Sequence, residues 1–131
     1  MDKLQRSDAE WRDSLTPEQY RVLREGGTEA PFSGELLNVK GSGHFVCAAC
    51  GEPLFESDSK YDSGSGWPSF TTAVSPDAVE LLEDRSYGMV RTEVRCSRCH
   101  SHLGHLFPDG PREAGGERWC INSLALDLEE R

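Results

Sequence analysis

Four cysteines fall into two pairs whose spacing is typical of a metal site. Cys47 and Cys50 form one CxxC motif, and Cys96 and Cys99 form a second one later in the chain. A tetrahedral zinc ion takes four thiolates at about 2.3 Å, and two tight CxxC turns supply two ligands each without straining the backbone. We therefore expect one structural zinc ion, since four sulfur ligands leave no open position for a substrate.

Other interpretations of the paired cysteines fit less well. A redox CxxC usually stands alone at a helix start in a βαβ unit, whereas two pairs occur here and neither has that setting. Four free core cysteines would be flanked by apolar runs, but turn-like polar residues follow Cys50 and Cys99. Four thiolates on one divalent cation carry net negative charge, which we expect Arg95 and Arg98 to offset in part.

The fifth cysteine, Cys120, lies in the run "ERWCINSLALDL", which we interpret as a strand. Alternation along a strand would put Arg118, Cys120 and Asn122 on one face and Trp119 and Ile121 on the other. A guanidinium on the same face favours the nucleophilic thiolate by lowering the pKa of the thiol, and a carboxamide can hold an oxygen-bearing ligand. The alternative is that Cys120 is one more small buried apolar residue.

Two histidines could complete such a site. His102 and His105 are three apart, so both cannot lie on one face of a regular strand, and a bend at Gly104 would aim both at one pocket. A histidine beside a thiolate can donate the proton that an oxygen leaving group requires. His44 and His100 have no such neighbours, and we interpret them as surface or packing residues.

The elements that must position these residues are of two kinds. Residues 1–26 are predicted to be helical, with a short apolar face at Tyr20 and Leu23 and an end at Gly26 and Gly27. The predicted capping residues are Ser7 with Glu10, and Thr16 with Pro17 and Gln19. Residues 27–131 read as short β runs separated by turn residues, too closely spaced for crossover helices, which favours an antiparallel β body. The runs are "HFV", "PLF", "FTTAV", "VELL", "GMVRTEV", "HLGHLF" and "RWCINSLALDL".

Length and charge narrow the class of protein. The 131 residues fit a single domain, 1–131, which is long enough to bury a hydrophobic core. A net charge of -9 disfavours binding to a phosphate backbone, so no nucleic-acid partner is expected. No apolar run approaches the roughly 20 residues of a membrane helix, and the first residues lack the apolar centre of a signal peptide. We expect a cytoplasmic monomer that does not bind membranes.

Several stretches together resemble a known family. "GTEAPFSGELL", "CAAC", "YDSGSGWPSF", "CSRCHSHLGHLFPDG" and "ERWCINSLAL" occur in the order and approximate spacing found in the zinc-containing methionine-R-sulfoxide reductases of the B type. The resemblance covers residues 27–126. It implies a mainly β fold of two antiparallel β-sheets with short N-terminal helices and a zinc site joining the two CxxC knuckles. The implied activity is reduction of the R epimer of methionine sulfoxide, mainly in proteins.

The resemblance also implies roles for individual residues. Cys120 would attack the sulfoxide sulfur and become a sulfenic acid, and His105 would protonate or position the sulfoxide oxygen. His102 and Asn122 would complete the polar wall. The implied substrate-binding residues are Trp67 for the methyl group, Phe107 for the pocket lining, and Arg118 for favouring the thiolate. Without the family pattern, core packing is the simpler expectation for Trp67.

One position departs from the family pattern. Many members carry a cysteine between the two glycines of this loop, and its thiol forms a disulfide with the oxidised nucleophile that thioredoxin then reduces. Here the position is Ser65, and a hydroxyl cannot form that bond. We expect an enzyme with one catalytic thiol, recycled directly by thioredoxin, glutaredoxin or a small thiol.

Two alternatives remain open at this point. Closed zinc sites on small β domains are common in binding modules, so the chain could be a non-enzymatic zinc-knuckle adaptor. It could also be a redox sensor, in which the missing second thiol impairs catalysis.

Overall fold

The computed structural model describes residues 5–39, 41–85 and 88–130. Two short helices come first, α1 (Asp8–Ser14) and α2 (Pro17–Leu23). Both begin with the predicted capping boxes, in which the N-cap hydroxyl accepts from the N3 amide while the N3 side chain accepts from the N-cap amide. Helix α2 ends at Leu23, earlier than predicted, and the backbone then turns at Gly26 with φ of 72°. No helix in the described part of the chain is long and apolar enough to cross a bilayer.

The predicted mainly β fold with two antiparallel sheets is confirmed. Strands β2, β1 and β9, in that spatial order, form a three-stranded sheet, and β3, β4, β8, β7, β6 and β5 form a six-stranded one. All described pairings are antiparallel. The strand bounds are β1 Gly43–Cys47, β2 Pro53–Glu56, β3 Lys60–Tyr61, β4 Ser69–Phe70, β5 Val79–Asp84, β6 Arg91–Cys96, β7 His102–Phe107, β8 Arg118–Ile121 and β9 Leu126–Glu130.

Three of the predicted strands were wrong in extent. Of the run "GMVRTEV", only the residues from Arg91 onward belong to a strand, β6. The run "RWCINSLALDL" is not one strand, because a 3-10 turn at Ser123–Ala125 separates β8 in the large sheet from β9 in the small sheet. The backbone amide of Asn122 still donates to the Leu103 carbonyl at 2.9 Å, and the chain then leaves the large sheet. The run "FTTAV" contributes only Ser69–Phe70 to a strand. Alternation of apolar residues alone does not reveal where a strand changes sheets.

The core lies between the two sheets and is rich in aromatic rings. Phe55 of the small sheet stacks on Phe70 of the large sheet with centroids 4.4 Å apart, and Trp119 meets Phe55 edge-on at 6.0 Å. The predicted packing of Tyr20 and Leu23 is confirmed, since both are buried. Because Trp119 points into this core, its strand neighbours on either side point to the opposite face of the large sheet.

Candidate functional site

A row of polar residues crosses the face of the large sheet that points away from the core. Cys120 on β8 pairs with Ser69 on β4 and with His105 on β7, and His105 pairs in turn with Glu93 on β6. Residues directly opposite in an antiparallel ladder share a face, with Cβ atoms about 4.5–5.5 Å apart. The sheet register therefore brings a thiol and an imidazole together on one surface.

A cavity of about 250 Å³ opens over this row. Six of the seven predicted catalytic and substrate-binding residues line this cavity. The seventh, His102, does not. The wall is formed by Thr28, Ser65, Trp67, Arg91, Gly104, His105, Phe107, Arg118, Cys120 and Asn122. The strand interpretation of the Cys120 region is confirmed to this extent: Arg118, Cys120 and Asn122 face the same cavity.

The Cys120 thiol is subject to opposing influences. Burial raises its pKa above the usual thiol value, while the Ser65 hydroxyl and the Arg118 guanidinium act to lower it. The Ser65 Oγ lies 3.9 Å from Cys120 Sγ. The predicted effect of Arg118 has the expected direction, but burial outweighs it and the pKa stays raised.

Arg118 is held in place from two sides. Its Nε donates to Asp109 Oδ1 at 2.9 Å, and its guanidinium lies over the Phe107 ring at 4.4 Å from the centroid. Phe107 is paired with Arg118 across the β7–β8 ladder, so the ring and the guanidinium emerge side by side. The apolar and the cationic parts of the wall thus stabilise one another.

His105 has an acidic partner that sequence reasoning missed. Its Nε2 lies 2.8 Å from Asp84 Oδ2 on the edge strand β5, and Arg91 Nη2 donates to the same carboxylate oxygen at 3.3 Å. This contact engages Nε2 and constrains the orientation of the ring. No local pattern in "VELLED" marks Asp84 as different from its acidic neighbour.

His102 lies behind His105, with ring centroids 5.4 Å apart. The pairing of β6 and β7 shifts by one residue, so that Val94 faces Gly104 while Arg95 faces His102, and Leu103 is the extra residue. The extra residue, rather than the predicted bend at Gly104, puts both histidines on one face of the sheet. The two histidines do not both line the cavity of Cys120. His102 is buried, its Nδ1 lies 2.6 Å from Glu93 Oε2, and it borders a neighbouring cavity rather than that of Cys120.

Trp67 is a wall residue of the cavity, not a core residue. Its indole Nε1 donates to the Glu29 carbonyl at 3.0 Å, and the Glu29 amide donates to Asn122 Oδ1 at 3.0 Å. The side-chain Nδ2 of Asn122 donates to the Leu103 carbonyl at 3.0 Å. Asn122 therefore ties the segment around Glu29 to strand β7 as well as lining the cavity. Glu29 belongs to the motif "GTEAP", but nothing in that motif by itself predicts these contacts.

The loop before Trp67 carries a chain of hydroxyl groups. Ser63 Oγ lies 2.7 Å from the buried Ser69 Oγ and donates to Ser65 Oγ at 2.9 Å. Gly64 and Gly66, on either side of Ser65, have φ of 74° and 94°, a backbone conformation that L side chains rarely adopt. The two glycines let the loop present Ser65 to Cys120.

The four paired cysteines converge as predicted. Their sulfur atoms all lie within 4.8 Å of one another, with 3.7 Å between Cys47 and Cys99 and 3.6 Å between Cys50 and Cys96. A tetrahedral ion with metal–sulfur bonds of about 2.3 Å requires sulfur atoms about 3.8 Å apart. The donor set and its spacing therefore fit one tetrahedral, thiolate-bound metal ion.

The surroundings of the cluster differ in part from prediction. Arg98 donates to the Cys50 carbonyl at 3.1 Å, but Arg95 is engaged by Glu93, so it does not take the expected place beside the sulfur atoms. Arg24, which sequence reasoning missed, donates from the end of α2 to the Cys99 carbonyl at 2.8 Å. The N-terminal helices are thereby tied to the metal site.

Comparison with known proteins identifies the family. Residues 15–130 match the SelR domain. The chain is 58% identical over 127 residues to the peptide methionine sulfoxide reductase MsrB of Leifsonia xyli, covering 97% of this chain and 91% of that protein. It is 52% identical over 130 residues to MsrB of Synechococcus, covering 99% and 95%, and 58% identical over 124 residues to MsrB of Methanosarcina mazei, covering 95% and 88%. The chain therefore belongs to the MsrB family of peptide methionine sulfoxide reductases.

Proposed function

We propose that the protein reduces the R epimer of methionine sulfoxide in oxidised polypeptides, with the Cys120 thiolate as nucleophile. The observation that carries this proposal is the shared cavity of Cys120, His105 and Trp67. The other four of the five cysteines fit a metal site, so Cys120 is the thiol left for chemistry.

The reaction requires a nucleophile and an acid on adjacent atoms. A sulfoxide sulfur becomes electrophilic once its oxygen is protonated or strongly hydrogen-bonded. The Cys120 thiolate attacks that sulfur while His105 donates a proton to the oxygen. The oxygen then passes to Cys120 as the methionine thioether leaves, so that the substrate sulfur gains two electrons and Cys120 becomes a sulfenic acid.

Trp67 orients the substrate. The ε-methyl of methionine sulfoxide is apolar with partial positive character, and an indole face suits it. The hydrogen bond to the Glu29 carbonyl fixes that face. With the methyl group on Trp67, the oxygen toward His105 and the rest of the side chain toward the cavity mouth, only one configuration at sulfur fits beside Cys120. Phe107 and Arg118 complete the wall around the side chain.

Recycling of Cys120 depends on an external thiol. Ser65 Oγ lies 3.9 Å from Cys120 Sγ, and an oxygen cannot form a disulfide. A reductant thiol therefore attacks the sulfenic acid, releasing water and leaving a mixed disulfide. A second thiol then restores Cys120 and leaves the reductant as a disulfide. Thioredoxin, glutaredoxin and small thiols all have the required chemistry.

We further propose that the ion at the four-cysteine cluster is zinc. Zinc favours tetrahedral thiolate coordination, and a site closed by four sulfur ligands is structural. The cluster joins β1 to the end of β6, so the ion would fasten the small sheet to the large one. It takes no part in the reaction at Cys120.

The test is a multiple-turnover assay with dithiothreitol and peptides carrying each epimer of methionine sulfoxide. Wild type should reduce the R epimer, and Cys120→Ser should lose at least a thousandfold in rate, about the loss expected when a nucleophile is removed. A zinc-knuckle adaptor would show no turnover, and a sensor would be oxidised once without efficient recycling. Preference for the S epimer would contradict the assignment of Trp67.

A further inference from the structure

Phe32 is an exposed aromatic residue in an unfavourable backbone conformation. Its side chain is 70% exposed, the highest value among the large hydrophobic side chains that the structure describes. The turn Ala30–Ser33 is closed by a hydrogen bond from the Ser33 amide to the Ala30 carbonyl, with Pro31 and Phe32 at its centre. Phe32 has φ of 64°, at a turn position that glycine or asparagine normally occupies.

Neither the exposure nor the backbone conformation of Phe32 benefits the fold. A bulky side chain with positive φ costs conformational free energy, and a side chain that is 70% exposed buries little apolar surface to offset that cost. Backbone strain of this kind concentrates at sites where a protein binds a ligand. The exposure and the strain of Phe32 are therefore better explained by binding of another molecule than by the stability of the fold.

The position of Phe32 provides that explanation. Its amide donates to the Gly66 carbonyl at 2.7 Å, and a Cβ atom built on Gly66 would lie 3.1 Å from two carbons of the Phe32 ring. Gly66 stands between Ser65 and Trp67, which both line the Cys120 cavity. The ring of Phe32 therefore lies against the loop that supplies Ser65 and Trp67 to the cavity wall, but is not itself part of that wall.

The size of the cavity determines what must lie outside it. Its volume of about 250 Å³ is below the range of about 300–1,000 Å³ typical of drug-sized ligands, so it suits one side chain. A polypeptide that inserts a methionine sulfoxide must keep its main chain and its neighbouring side chains on the surrounding surface. Phe32 offers apolar area on that surface, next to the loop that carries Trp67.

We propose that Phe32 binds an apolar side chain adjacent in sequence to the methionine sulfoxide of a polypeptide substrate. This inference rests on the proposed reduction of methionine sulfoxide and adds a residue that distinguishes peptide from free substrate. The strained turn holds the ring in the exposed position before the substrate arrives, so binding does not have to order it.

Phe32→Gly is the decisive variant, because glycine is the preferred residue at this turn position and relieves the strain. Its melting temperature should be unchanged or higher. We expect kcat/KM to fall about tenfold, mainly through KM, for a methionine-R-sulfoxide peptide with a leucine neighbour, a loss in the range of a truncated interface anchor. Activity on N-acetyl methionine-R-sulfoxide amide, and on the same peptide with serine in place of leucine, should change less than twofold.

Leu81→Thr is the matched control. Leu81 is 51% exposed on the edge strand β5, separated from β8 by two strands, so its removal should leave all three substrates unaffected. Equal losses on the three substrates in Phe32→Gly, or no loss on any, would overturn the role of Phe32. Turnover of the N-acetyl amide by wild type tests the proposed function separately, because that substrate has no neighbouring side chain to bind.

Dissociation constants provide a readout that is independent of turnover. The leucine-containing peptide should bind to Cys120→Ser about tenfold more tightly than to Cys120→Ser/Phe32→Gly, as measured by fluorescence anisotropy of a labelled peptide. Equal affinities of the two variants would contradict the inference even if the activities differed.

Discussion

His105 and Cys120 lie directly opposite each other on the antiparallel strands β7 and β8. Two residues far apart in the sequence thus share one face of the sheet at the distance of a cross-strand pair. Gly104 allows the close approach, since a Cβ at that position would meet the backbone of Cys120. The relationship places an imidazole beside a thiol through strand pairing rather than through a flexible loop.

The reactivity of Cys120 should depend on pH in a direction set by its surroundings. Burial raises its pKa, so the thiol is mostly protonated at neutral pH and the thiolate fraction increases as pH rises. The rate of alkylation by iodoacetamide should therefore increase with pH and level off only above about pH 8.5. Peptide mapping by mass spectrometry isolates Cys120 from the cluster cysteines. A plateau already reached at pH 7 would contradict this prediction.

Removing either group that opposes the effect of burial should raise the pKa of Cys120 further. Ser65→Ala removes a hydrogen-bond partner, and Arg118→Gln removes a nearby positive charge. Both variants should alkylate several-fold more slowly at pH 7 and shift the midpoint to higher pH. Thr71→Ala, a change in the segment after β4, is a control for loop substitution, and its midpoint should match wild type.

Ser65→Cys should restore an intramolecular disulfide. The side-chain atoms of Ser65 and Cys120 are 3.9 Å apart, and the two glycines beside Ser65 allow the movement needed for a sulfur–sulfur bond of about 2.05 Å. After one turnover without reductant, the variant should lose two hydrogens in mass, whereas wild type gains one oxygen. A sulfenic acid that persists in the variant would show that the loop cannot close.

His105→Asn should impair the chemical step. It removes the imidazole that faces Cys120, and loss of a general acid costs about 10²–10⁴-fold in rate. Asp84→Asn should have a smaller effect, about tenfold, because it leaves the imidazole but weakens the contact that orients it. Single-turnover rates measure the step directly. His44→Asn, a histidine outside the cavity, should match wild type, and a larger loss in Asp84→Asn than in His105→Asn would reverse the assigned roles.

The metal should contribute to stability rather than to reactivity. Elemental analysis should find one zinc ion per chain. Removing the ion should lower the melting temperature, because the four thiolates lose the cation that holds them together. Arg24→Ala should lower it by a few degrees while metal content is retained, since the hydrogen bond to Cys99 is lost. An unchanged melting temperature after verified metal loss would contradict the structural role.

Features that depend on short stretches of chain could be predicted from the sequence. The capping boxes of α1 and α2 involve residues three apart, and the shared face of Arg118 and Cys120 follows from strand alternation. The two CxxC motifs predicted a four-sulfur cluster because each motif fixes the distance between its own sulfur atoms. Family resemblance added Trp67, whose place in the cavity wall local pattern would not predict.

The remaining parts of the site depend on which strands meet and in what register. Asp84 contacts His105, and the Glu29 carbonyl accepts a hydrogen bond from Trp67. Both contacts join segments distant in sequence, and their free energy is gained only when the sheets form and pack. The break after β8, where the chain passes to the second sheet, likewise depends on how the two sheets are assembled. The sequence alone determined which groups could react; the tertiary structure decided which groups touch, because register and packing are properties of the whole chain.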